Sequence, residues 1–88
     1  LTATSLEVVQ HYAAAMASLA SGAFESALES FSKAVTVDPG FGLAHAGLAI
    51  ASSNLGRQQD AERHATEAVR HVDRMTERER FRTRGLYY

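Results

Sequence analysis

Histidine is the residue in this chain that most readily suggests chemistry, because its ring nitrogens bind metal ions and exchange protons near neutral pH. The 88 residues include His11, His45, His64 and His71. His64 and His71 are seven residues apart and share a helix face, but a metal site usually needs ligands four residues apart or a third convergent ligand. His11 and His45 occupy equivalent positions of a weak internal repeat and suit packing roles there. The spacing therefore predicts no metal site.

Carboxylates and hydroxyls offer no better basis for catalysis. Glu25 with Glu29, and Asp60 with Glu67, fall on polar helix faces, where nothing desolvates a carboxyl group enough to make it a general acid. Serine is plentiful, but no nucleophile elbow or glycine-rich phosphate loop surrounds it. The chain has no cysteine, which excludes thiolate chemistry and disulfides. We therefore predict that the chain is not an enzyme and binds no cofactor.

The arginines near the C-terminal end raise the question of nucleic acid. Arg78, Arg80, Arg82 and Arg84 alternate with other residues, so a helix scatters them around its axis rather than along one stripe. Two interpretations of these arginines remain: they bind phosphate, or they form Glu–Arg pairs on a solvated helix. A net charge of −1 does not require a polyanionic partner. We expect no nucleic-acid partner. No apolar run is long enough to span a bilayer and no signal peptide is visible, so we also expect no membrane partner and a cytoplasmic location.

The internal repeat is weak but regular, with a period of about 34 residues that is typical of stacked helical repeats. The recurring pairs are Gly22/Gly56, Ala27/Ala61, Ala34/Ala68, Val35/Val69, His11/His45, Ala15/Ala49, Ala17/Ala51 and Ser18/Ser52. In such a stack each unit buries its apolar face on its neighbour. Stacks of this kind usually serve as binding surfaces for other molecules.

The elements that carry this repeat are five predicted helices, so the predicted fold class is all-α. The clearest apolar stripe lies on the second helix, with positions i, i+3, i+4, i+7, i+10 and i+11 occupied by Phe24, Ala27, Leu28, Phe31, Ala34 and Val35. Gly22 and Gly56 predict left-handed helix ends, and Pro39 ends the second helix. The fourth helix groups Ala61, Ala65, Ala68, Val69 and Val72, and the fifth Phe81, Gly85 and Tyr88. Short loops make consecutive helices antiparallel.

These residues resemble the tetratricopeptide repeat, a pair of antiparallel helices with small residues at fixed positions and a terminal proline. The residues that match in the first unit are Gly22, Phe24, Ala27, Phe31, Ala34, Asp38 and Pro39, and those in the second are Leu48, Gly56, Ala61 and Ala68. The second unit lacks the proline and has Ala65 where an aromatic is usual. The resemblance implies one domain over 1–88, an α-α superhelix with repeats at about 8–41 and 42–75 and a partial third at 76–88.

The resemblance also implies a protein-interaction module, because first helices of such units line a concave groove that binds a peptide or partner helix. The groove positions implied by analogy are Tyr12, Met16, Leu19, Ala46, Ile50, Ser53, Asn54, Arg82 and Leu86. This groove is mainly apolar, so a hydrophobic segment suits it better than an acidic tail. Met and Ile at helical spacing also fit core or self-association contacts, which leaves a structural or oligomerisation segment as the alternative.

The last helix also bears on the parent protein. Its amino-acid sequence from Thr76 to Phe81 and from Gly85 to Tyr88 resembles repeat regions of bacterial multidomain signalling proteins, such as serine/threonine kinases or winged-helix regulators. The chain begins with leucine and stops where a helical pattern is still running, so we expect it to be a fragment of a longer protein. The exposed last helix would then offer a route to a homo-oligomer.

Overall fold

The computed structural model describes residues 3–71, which form four α-helices joined by short turns. These are α1 (Ala3–Ala20), α2 (Phe24–Val37), α3 (Gly42–Asn54) and α4 (Gln58–Arg70). No strand occurs within residues 3–71, so the all-α prediction is confirmed for that part of the chain. The predicted fifth helix and partial third repeat, with Arg82 and Leu86, lie outside the described residues. None of the four helices combines the length and apolar character that a bilayer-spanning segment needs.

Two glycines end α1 and α3 in the same way. Gly22 has φ +80° and Gly56 has φ +78°, a left-handed conformation that an L side chain disfavours, which confirms the predicted helix ends. After α1, Ala23 N–H donates to Ser18 O at 2.8 Å; after α3, Arg57 N–H donates to Ser52 O at 2.9 Å. This closure is the Schellman motif, and it occurs at equivalent positions of the two hairpins.

The turn between α2 and α3 follows from Pro39. The residue before a proline is disfavoured in helical geometry, and Asp38 is extended at φ −134° and ψ 89°. The Asp38 carboxylate accepts a hydrogen bond from Gly40 N–H at 3.2 Å, and the Asp38 carbonyl accepts one from Phe41 N–H at 3.1 Å. The turn reverses the chain within a few residues, so α3 begins at Gly42 and packs back against α2.

The core forms where α2 lies between α1 and α3. Its fully buried side chains are mostly alanines, grouped around one aromatic ring: Ala15, Ala27, Phe31, Ala34, Ala44 and Ala51. Small residues let the helix backbones approach closely, and Phe31 fills the space that remains. The Tyr12 ring meets the Phe31 ring edge-on at 5.9 Å, and the backbone of Gly47 on α3 lies directly against it. The apolar stripe predicted for α2 therefore is the centre of the fold.

The stripe predicted for α4 is only partly buried. Ala61 lies in the core, but Ala65 is exposed and Val69 is 70 % exposed, which departs from the prediction. Within residues 3–71, α4 packs chiefly against α3, so one edge of its apolar stripe has no neighbouring helix to cover it. Ala65 also stands one repeat period after Phe31, so the second hairpin has a methyl group where the first has a ring.

Candidate functional site

The predicted groove residues fall into two groups in the structure. Met16 on α1 and Ile50 on α3 are 43 % and 50 % exposed. They occupy equivalent positions of the repeat and lie on helices that contact each other. Ser53 and Asn54, one turn beyond Ile50, are exposed as well. Large apolar side chains in solvent at equivalent positions of adjacent helices are what a binding surface for an apolar partner would present.

The remaining described groove residues contribute to packing. Tyr12 is half-buried, and its ring meets the rings of Phe31 and Phe41 edge-on at 5.9 and 5.3 Å. Leu19 packs against the core cluster, and Ala46 is half-buried. Tyr12 therefore holds α1 against α2 and the turn before α3, and only part of its surface is left for a partner.

A surface depression of about 380 Å³ opens beside Ile50, between α3 and α4. Its lining consists of Ala49, Ile50, Ser53, Asn54, Ala61, Glu62 and Ala65, and we call it the Ile50 depression. Its floor is largely alanine methyl groups, and Glu62 is its one charged residue. The groove positions predicted from the tetratricopeptide resemblance did not include the α4 residues, because only the first helix of each repeat unit lines that groove. The repeat could have indicated them, since they lie one period after Ala27, Leu28 and Phe31.

A second depression, of about 530 Å³, lies between α1 and α2, and most of the residues that line it are polar or charged. Its lining consists of His11, Glu29, Ser32, Lys33, Thr36 and Val37. Its polar groups bind one another along α2: Lys33 pairs with Glu29 at 3.7 Å, and the Thr36 hydroxyl donates to Ser32 O at 2.8 Å. Groups already satisfied on their own helix do not converge on a ligand, so this depression is the weaker candidate.

A cluster of two histidines and a glutamate lies where α3 begins and α4 ends. The ring of His45 stacks on the ring of His71 with centroids 5.2 Å apart and an angle of 20° between planes. His71 Nε2 lies 3.4 Å from Glu67 Oε2. The sequence spacing suggested only that His71 shares a helix face with His64. It could not show that His45 lies beside His71, because the packing of α3 against α4 brings these two residues together.

His64, the third histidine of this hairpin, is partly buried on α4. Burial lowers the pKa of His64 below its ordinary value of 6.5, and Arg63 and His45 lower it further, against the opposing effects of Asp60 and Glu67. The folded state therefore disfavours protonation of this ring. The contribution of His64 to stability is therefore complete above about pH 6.5 and is lost as the pH falls from there toward the lower pKa of the folded state.

We expect His64→Gln to make the melting temperature less sensitive to pH between pH 7.5 and 5, because the variant has no ring to protonate. Circular dichroism melts at several pH values measure this, with Gln59→Ala as a non-titrating control on the same helix. Equal loss of melting temperature in wild type and His64→Gln would show that His64 contributes nothing to the pH dependence.

No protein-family model matches the chain, and no curated protein or solved structure shows significant similarity to it. The tetratricopeptide resemblance therefore stays a prediction that rests on the residues quoted for it.

Proposed function

We propose that this chain is a protein-interaction module that binds an apolar peptide or partner helix on the surface formed by Met16, Ile50 and the Ile50 depression. The observation that carries the proposal is the exposure of Met16 and Ile50 at equivalent repeat positions on contacting helices. We further propose that the helical hairpins form a tetratricopeptide-like superhelix, with α1 and α3 on its concave side. The identical glycine-terminated ends of α1 and α3 support that repetition.

The chemistry of the surface indicates the kind of partner. Burying a large aliphatic side chain such as Ile50 contributes about 1.5–3 kcal/mol, so a few apolar anchors supply useful affinity. Alanine methyl groups around Ile50 leave space for such an anchor from the partner. Glu62 at the rim favours a positive charge beside the anchor. The partner segment that fits best is therefore hydrophobic with a basic flank, presented as a helix or an extended strand.

A structural or self-association segment is the second candidate, and the position of the Ile50 depression favours it. Three of its lining residues lie one repeat period after Ala15, Ala27 and Phe31 of the first hairpin, and those three residues are fully buried. Gly47 of α3 lies directly against the Phe31 ring. The depression is thus equivalent to the place where the next helix of a stack sits. A helix from a second copy of the chain would suit it as well as one from a different protein.

We expect Ile50→Glu to weaken binding of a selected peptide by about tenfold or more, because the partner's apolar anchor would then meet a carboxylate. Peptides are first selected against the full chain from a random displayed library. Fluorescence anisotropy then compares wild type, Ile50→Glu and Val69→Glu, the last a matched change at an apolar residue that is 70 % exposed on α4 outside the depression.

The proposal expects Val69→Glu to keep wild-type affinity, with all three chains equally helical by circular dichroism. Equal weakening by both variants, or by neither, contradicts it. Sedimentation equilibrium separates the second candidate: a wild-type dimer that Ile50→Glu converts to a monomer, together with no peptide that binds, would favour self-association.

A further inference from the structure

We propose that His45, Glu67 and His71 bind a divalent transition-metal ion, with Zn²⁺ as the reference case. One ligand atom from each of the three residues lies within 4.8 Å of the other two. The proposal is independent of the peptide-binding surface. It also departs from the prediction made from the sequence, in which His45 had a packing role and no metal site was expected.

The ring of His45 is prepared as a ligand by its own hydrogen bond. His45 is only 9 % exposed, and its Nε2 lies 2.8 Å from the carbonyl oxygen of Pro39. A carbonyl only accepts, so Nε2 must carry the hydrogen, and the lone pair is left on Nδ1. A backbone carbonyl that fixes the tautomer of a ligating histidine in this way is a common feature of metal sites.

The other nitrogen of His45 lacks a hydrogen-bonding neighbour within residues 3–71. Nδ1 is buried and has no hydrogen-bond partner among the described residues. A buried acceptor without a partner lowers stability, and such groups are rare in native structures. A metal ion on Nδ1 would supply the partner that this atom lacks among the described residues.

Glu67 and His71 supply the remaining ligands from one turn of α4. Glu67 uses its two oxygens differently: Oε1 lies 3.5 Å from Arg70 Nη1, and Oε2 lies 3.4 Å from His71 Nε2. The Arg70 contact orients the carboxylate, and Oε2 faces the histidines. Two nitrogens and a carboxylate oxygen suit Zn²⁺, Cu²⁺ or Ni²⁺ rather than Ca²⁺ or Mg²⁺, which prefer all-oxygen sites.

Binding requires the ligand atoms to move closer together and one histidine ring to turn. Ligand atoms of a tetrahedral zinc ion with 2.0–2.1 Å bonds are about 3.4 Å apart. The lone pairs of imidazoles lie in their ring planes, so the nearly parallel rings of His45 and His71 must turn relative to each other. His71 follows the last residue of α4 and is partly exposed, which makes it the ring that turns. Three protein ligands leave the fourth position to water.

Zinc titration by calorimetry tests the site on the untagged full chain after treatment with a chelator. We expect saturable 1:1 binding and a melting temperature that rises with Zn²⁺ and returns with EDTA. Glu67→Gln and His71→Gln should each weaken binding by about tenfold or more, since each removes one of three ligands. These residues are partly exposed, so their variants should fold even where a His45 substitution does not.

The chain offers two matched controls. His64→Gln changes another histidine of α4, and His11→Gln changes the residue that is one repeat period before His45 and lies 4.0 Å from Glu7. Both should keep the wild-type zinc affinity. Absence of 1:1 binding at millimolar Zn²⁺ would overturn the proposal, as would equal weakening by the controls and by the ligand variants. Either result would leave Glu67 and His71 as a simple ion pair on one helix.

Discussion

Phe31→Ala should lower the free energy of unfolding by about 3–5 kcal/mol, the largest effect expected of any substitution considered for this chain. Phe31 is fully buried where α1, α2 and α3 meet, against Tyr12 and Gly47. Its neighbours are mostly alanines on rigid helices, and such short side chains cannot move in to fill the cavity. The loss is also large in proportion, because domains of this size are stable by only about 4–13 kcal/mol.

Urea denaturation followed by circular dichroism measures this loss. Val69→Ala is the matched control: it also shortens an apolar side chain, but at an exposed position, and should change stability by about 0.5 kcal/mol at most. A loss of less than about 1 kcal/mol for Phe31→Ala, similar to the control, would mean that the ring is not the centre of the core.

Gly47→Ala should lower stability by about 1–3 kcal/mol, although alanine is the better helix former. Gly47 lies within α3 and is buried, and a Cβ there would overlap the end of the Phe31 ring. The ring cannot move aside easily, because the Tyr12 ring stands next to it. Overpacking therefore outweighs the gain of roughly 1 kcal/mol that replacing glycine in a helix would otherwise bring.

Gly42→Ala is the control for this effect, because a Cβ there meets its nearest neighbours at 3.6–3.8 Å, an ordinary contact distance. It should be neutral or stabilising. Adding Phe31→Leu to Gly47→Ala should cost less than the sum of the two single changes, since the smaller side chain relieves the overlap. A Gly47→Ala chain as stable as Gly42→Ala would contradict the close approach of α2 and α3.

The sequence predicted the first hairpin better than the second, for a physical reason. The stripe around Phe31 has large residues and full helical periodicity, so one arrangement buries it. The stripe of α4 is made of alanines and Val69, and periodicity shows which residues share a face but not how much of that face a neighbour covers. Helix ends at Gly22 and Gly56 were predictable because glycine alone adopts the left-handed conformation without strain.

The candidate sites were harder to predict than the fold. Tyr12 was predicted to line the groove, and the sequence did not show that its ring also packs against Phe31 and Phe41. The contact between His45 and His71 depends on the angle and register of α3 against α4, which no local spacing encodes. The α4 side of the Ile50 depression was predictable in principle, by shifting the buried residues of the first hairpin by one repeat period.

The proposed binding of an apolar partner depends on the surface around Met16 and Ile50. Backbone amide NMR of the ¹⁵N-labelled chain, titrated with a peptide selected for binding, tests it most directly. We expect the largest shifts at Met16, Ile50, Ser53 and Glu62. Shifts concentrated instead on the outer surface, at residues such as Lys33 and Val69, would contradict it.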